Sequence, residues 1–268
     1  MVRQGLTYNC RVLSIQAIAV LAIIFLVTGA IGVVTGSNSL ITVPLMFQFG
    51  VEPRVAVATN MFALVFMALG GTIPFLRNGD ISRSSIMPFA VLTLISSALG
   101  ALIVSFVGDA SIKIIVSAAM IVVALFVLFV GEPTDPDKGR FGRSRLPLTY
   151  FLAFALGIYG GLFSGGYVTI LTAVLVGIYG MQYNEAIAST KLINFISSGI
   201  AAIVFMWKGL VDYTLGITLG IVMFVGGYLG AVVVTKLSNI WLKHIFHAAV
   251  LILAVKTIYD LLQIEFGF

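Results

Sequence analysis

Charge is what this sequence has least of. Only 9% of its 268 residues are Asp, Glu, Lys or Arg, whereas a water-soluble domain carries about 25%. So few charges cannot coat a surface that faces water, and the solvent around most of the chain must be lipid. Cysteine is scarcer still. Cys10 is the only one, which excludes an intrachain disulfide framework and a multi-cysteine metal site. Catalytic groupings are missing as well: there is no HExxH, no buried carboxylate pair and no ATP-binding loop. Phe163-Ser164-Gly165-Gly166 resembles a nucleophile elbow only superficially, with no base evident. No enzyme activity, cofactor or metal is expected. His244 and His247, three apart, read as interfacial side chains near Lys243, with a metal or proton-relay role as the alternative.

What the chain does have is apolar residues, 60% of the total, with a mean hydropathy of +1.14. The net charge of +5 sits in loops, where it sets membrane orientation rather than nucleic-acid binding. The run over 12–34 is too long for a cleaved signal segment, whose apolar part spans about 7–15 residues, and reads as a retained first transmembrane helix.

Ten apolar segments follow one another, at 12–35, 39–49, 53–76, 81–107, 110–130, 147–163, 168–179, 184–207, 211–237 and 240–264. One hydrophilic stretch, 132–145, divides them five and five. The two sets align at an offset of about 130: Gly29 and Gly32 with Gly157 and Gly160, Gly50 with Gly180, Gly79 with Gly209, Leu99-Gly100-Ala101 with Leu229-Gly230-Ala231, Lys113 with Lys243. Thr59 aligns with Thr190, one residue further on. The expected organisation is a first repeat over 1–131, a cytoplasmic linker over 132–146 and a second repeat over 147–268, forming one membrane body. Asp109 and Asn239 stand where helix N-caps belong.

The segments at 39–49 and 168–179 are short. A dozen residues of helix reach about 18 Å, against a hydrocarbon core of about 30 Å. If they cross with help from the Gly-rich residues before them, the halves are inverted; if they dip and return, the halves are parallel. Placing Lys138, Arg140, Arg143 and Arg145 in the cytoplasm puts Arg77, Arg83, Lys236 and Lys243 there too when the short segments cross. That favours inversion, at the cost of leaving Arg3 and Arg11 outside. The expected fold is an all-α polytopic membrane protein of two duplicated, inverted halves, about five helical segments each, with one short broken helix per half.

The breaks are the candidate site. Thr35-Gly36-Ser37-Asn38 and Ser164-Gly165-Gly166 place flexible, polar backbone before a short helix. A helix start offers unpaired N–H groups and partial positive charge, which suits an anion. Such backbone is tolerated at membrane depth only where protein or a wet cavity satisfies it. Lys191 lies well inside the eighth segment, where a charge usually marks a pathway. Thr190, Lys191, Asn194, Ser197 and Ser198 fall within an arc of roughly 120° at 100° per residue. The first-half stripe, Thr59, Asn60, Ala63, Phe66 and Met67, is less polar. The alternative is that Lys191 snorkels to a headgroup.

The Gly-rich breaks, Ile41-Thr42-Val43-Pro44-Leu45, Ala56-Val57-Ala58-Thr59-Asn60 and Glu185-Ala186-Ile187-Ala188-Ser189-Thr190-Lys191-Leu192 resemble the TauE/SafE sulfite-exporter family over nearly the whole chain. The sequence departs from the family at Ser37 and Asn38, inside a break that is usually richer in glycine, and at Met61, where some members have Lys. The resemblance implies a permease of the bacterial inner membrane that moves sulfite, sulfonates or related small anions. The expected site is Thr35, Gly36, Ser37, Asn38, Thr59, Asn60, Ser164, Gly165, Gly166, Thr190, Lys191, Asn194 and Ser198, working by alternating access with a proton or sodium as coupling ion. A passive anion channel and a non-transporting membrane assembly protein are the other readings.

Overall fold

The computed structural model describes residues 14–36, 38–78, 83–129 and 146–238, together with 240, 241 and 244. Ser37, the hydrophilic linker, His247 and most of the last apolar segment lie outside the described residues. Every regular element among those described is helical. In order they are α1 (Ile15–Thr35), α2 (Ser39–Gln48), α3 (Pro53–Asn78), α4 (Arg83–Phe106), α5 (Asp109–Phe129), α6 (Leu146–Leu162), α7 (Tyr167–Val174), α8 (Tyr183–Trp207) and α9 (Tyr213–Val234). α7 continues as a π-helical stretch, Leu175–Tyr179. Five of these helices are long and apolar enough to cross a membrane: α1, α3, α4, α8 and α9.

The helix ends follow local chemistry. Ser14 caps α1 by accepting from the Ala17 N–H at 3.2 Å, and Asp212 caps α9 by accepting from Leu215 at 3.0 Å. α1 stops at Gly36, whose φ of 66° is left-handed, and α7 starts after Gly166, whose φ is 75°. Both conformations favour glycine. Asp109 is the first residue of α5 rather than its cap, and its carboxylate takes Arg54 Nε and Nη2 at 3.1 Å each, tying the start of α5 to the start of α3.

The helices pack in two groups that exchange elements between the two parts of the chain. α9 lies against α1 and α3, α4 lies against α6 and α8, and α3 joins the groups through α8. Small residues allow these backbones to approach closely. Along α3 and α9, the Asp212 N–H donates to Thr59 Oγ1 at 3.0 Å, Gly216 sits against Phe62, Gly220 against Phe66, and Gly70 against Phe224. Both series ascend together, so α3 and α9 run parallel. α4 and α6 run parallel too: Gly157 faces Thr93 and Ser96, Gly161 faces Ser97, and Gly100 faces Ile158 and Leu162.

Lipid-type solvation shows in the outward faces. Ile217, Ile221, Val225, Leu229 and Val233 form an exposed apolar stripe along α9, and the hydroxyls within helices fold back onto their own backbone, as Thr72 does to Ala68 at 2.6 Å.

A Cβ at Gly161 would stand 2.6 Å from the Cα of Ser97, whereas one at Gly199 meets nothing within 4 Å. Gly161→Val is expected to cost about 3 kcal/mol, the upper end for overpacking. Gly199→Ala is expected to be neutral or stabilising by up to about 1 kcal/mol. Thermal melts of the detergent-purified variants check the contrast.

Candidate functional site

The two breaks press against each other at the centre of the molecule. The place a Gly36 Cβ would take is filled by Val168 and lies 3.0 Å from the Thr169 backbone nitrogen. The Thr169 hydroxyl donates to the Thr35 carbonyl, so the end of α1 rests on the start of α7. Reciprocally, a Cβ on Gly165 would stand 2.8 Å from Leu40 of α2. Tyr159 of α6 donates its hydroxyl to the Gly165 carbonyl and braces the second break. Ser164, at 4% exposure, and Asn38, at 5%, are enclosed.

Each short helix is tied to the long helix after it by a side-chain bond of the same sequence span. Thr42 Oγ1 donates to Asn60 Oδ1 at 2.7 Å, and Thr172 Oγ1 donates to Thr190 Oγ1 at 3.4 Å, both across 18 residues. Asn60 Nδ2 also donates to Ser39 Oγ at 2.8 Å. In this register Asn60, not Thr59, stands opposite Thr190. Thr59 faces away, accepting from the start of α9, so the structure does not bring it to the breaks with the other predicted residues.

Lys191 is wholly enclosed, at 0% exposure, and is the one charged side chain among the described residues buried to this degree. It does not snorkel. Its Nζ donates to the Gly32 carbonyl of α1 at 2.8 Å, and its stem runs past Gly71 of α3, where a Cβ would stand 3.8 Å from Lys191 Cδ. A cation at the carbonyl end of a helix is favoured by the aligned peptide dipoles. The Gly32 carbonyl takes one of the three donors that the ammonium carries.

Several buried polar atoms nearby lack partners: Asn38 Oδ1, Ser189 Oγ, Asn194 Oδ1 and Ser198 Oγ. Each such group costs about 1–3 kcal/mol, which is the signature of a place where a ligand or water completes the bonding. Asn38 lies flat against Gly32 and turns its Nδ2 to Met67 Sδ at 2.6 Å. A second polar cluster was not foreseen. Ser97 Oγ donates to the Gly157 carbonyl at 3.1 Å and lies 2.7 Å from Ser197 Oγ. The buried Tyr167 hydroxyl faces Thr93 and Ser197. The spacing of Thr42 to Asn60, repeated in Thr172 to Thr190, was the sequence signal for the two ties. The Ser97–Ser197 contact, across 100 residues, left none.

An all-helical body with several membrane-length helices, two glycine breaks in contact and an enclosed lysine defines a polytopic membrane transporter. The comparisons give its family. The sulfite exporter TauE/SafE family matches residues 21–257, and the chain belongs to it. It is similar to a probable membrane transporter protein of Haemophilus influenzae, at 25% identity over 92% of this chain and 97% of the relative. It is also similar to the probable membrane transporter proteins YfcA of Escherichia coli, at 24% identity over 91% and 90%, and YunE of Bacillus subtilis, at 22% over 91% and 98%. No solved structure matches the chain.

Asn60→Ala removes the acceptor of Thr42 and the donor to Ser39 together. It is expected to lower stability by about 2 kcal/mol, while Thr172→Val, which loses the longer bond to Thr190 and a back-bond to the Val168 carbonyl of its own helix, costs less than about 1 kcal/mol. Chemical or thermal denaturation of the two variants side by side reads the order.

Proposed function

We propose that the protein is a secondary transporter of small anions, with sulfite, an organosulfonate or a related sulfur oxyanion as substrate, working by alternating access in a bacterial inner membrane. The observation that carries this is Lys191, a fully buried cation held by a backbone carbonyl beside two broken helices. An anion entering between the breaks would meet the start of α7, the unpartnered Ser198 hydroxyl and an ammonium that can exchange Gly32 for it. The contact between Gly36 and Thr169 would close such a route in this conformation, which suits a carrier that opens to one side at a time rather than a standing pore.

The same reading makes the halves inverted repeats, a first over residues 1–131 and a second over 147–268, joined by a cytoplasmic linker. Gly29 rests on Met223 and Gly226, and Gly157 rests on Thr93 and Ser96; Gly157 lies 128 positions after Gly29, and Met223 and Gly226 lie 130 after Thr93 and Ser96. Helix direction supports the inversion. The connections at 79–82 and 208–212 reach at most about 18 Å, short of the hydrocarbon thickness of about 30 Å, so α4 opposes α3 and α9 opposes α8. Because α3 and α9 are parallel, α8 runs against α3 and α9 against α4. α6, parallel to α4, then shares the direction of α8, and residues 163–182 must carry the chain back across. On this account the short segment crosses rather than dips.

Two measurements test these statements. In proteoliposomes, Lys191→Ala should reduce sulfite uptake at least about 100-fold, the loss of a charge-assisted contact worth about 3 kcal/mol; uptake at the wild-type rate by folded protein would remove Lys191 from the site. For topology, Glu52→Cys and Gln182→Cys, each on a Cys10→Ser background, place a thiol at an exposed position after the respective short segment. An impermeant maleimide should reach them from opposite sides of the membrane. Labelling from one side would make the halves parallel.

A further inference from the structure

We propose that the end of α1 is a monovalent-cation site which Lys191 fills as a tethered ammonium, and that without this ammonium the site takes a sodium ion. The last carbonyls of a helix have no helical donors and carry partial negative charge. Lys191 Nζ sits on one of the carbonyls in that final turn, Gly32 O, at 2.8 Å. This carbonyl already accepts the Gly36 N–H at 2.9 Å, so the ammonium is an addition to a closed turn and not a replacement for a missing helix bond.

A second buried oxygen lies against the same residue, Gly32. Asn38 lies so close to Gly32 that any side chain there would collide with its amide, and its Oδ1 is buried without a partner. With the ammonium gone, that neutral acceptor and the Gly32 carbonyl would offer the oxygen-only surrounding that unwound helix ends give to sodium.

The repeat supplies an independent comparison. The residue 130 positions before Lys191 is Met61, and at the offset of 128 that relates Gly32 to Gly160 the residue matching Asn38 is Gly166. The matching site at the end of α6 therefore has neither the cation nor the amide, so the two are absent there together. A merely structural Asn38, holding the break open by its own backbone geometry, would have no reason to follow the lysine.

The test reads stability in defined salts and does not depend on whether the substrate is an anion. Lys191→Met keeps an unbranched stem of similar reach, the type already present at Met61, and leaves the position of the ammonium vacant. Purified in sodium chloride, this variant should be monodisperse. Its thermal midpoint should fall by about 3 °C or more, the equivalent of about 1 kcal/mol in a chain of this size, on exchange into choline chloride of equal ionic strength. Wild-type protein should melt alike in both salts, since its site is filled. Lys191→Met with Asn38→Ala should lose the difference. Equal midpoints for Lys191→Met in the two salts, failure to recover it folded in sodium, or an undiminished sodium effect in the double variant would each overturn the proposal.

Discussion

The structure depends on one constraint: an ammonium group placed in the middle of a membrane protein must find oxygen. Lys191 finds it at the carbonyl end of α1, and that requirement reaches outward through the fold. α1 has to end near mid-molecule, which Gly36 brings about by turning left-handed. The chain must then restart as the short α2, because a continuous helix would have placed other residues where Asn38 lies against Gly32. α8 must run between α3 and α4 for the lysine to reach α1, and it packs on both. Removing the charge would relax each of these demands.

A bilayer leaves no water to satisfy broken helices, so the breaks must satisfy each other. One bond crosses between them, from Thr169 to the carbonyl of Thr35, and the Gly165 carbonyl is met within its own half by Tyr159. The two ties of 18-residue span then fix α2 on α3 and α7 on α8. Close approach of long helices through Gly157, Gly161, Gly216, Gly220 and Gly226 supplies the packing that lipid, being as apolar as the side chains, does not drive. The site is therefore held by paired contacts of two short helices, while the long helices form the frame. That division suits a protein whose centre must rearrange.

Much of this was legible in the chain. The helix limits fall within a few residues of the apolar runs, because composition alone separates lipid-facing stretches from loops. Lys191 stood out because a charge among apolar residues is conspicuous, and the glycine breaks because their residue types recur at one spacing. Its partner was not legible: Gly32 contributes a backbone carbonyl, which leaves no trace in residue type. The equation of Thr59 with Thr190 was off by one residue, since hydroxyl matched hydroxyl in the alignment whereas in space the amide of Asn60 takes the hydroxyl's place. Ser97, Thr93 and Tyr167 read as ordinary small or aromatic residues until the fold brought α4, α6, α7 and α8 together around Ser197.

The central claim is that an anion between the breaks and the carbonyl of Gly32 compete for one ammonium. The most direct measurement is the structure of the protein bound to sulfite. The account predicts density for the anion between residues 36–38 and 164–166, with Lys191 Nζ in contact with it and withdrawn from Gly32. An anion bound elsewhere, with Lys191 still on the Gly32 carbonyl, would contradict it.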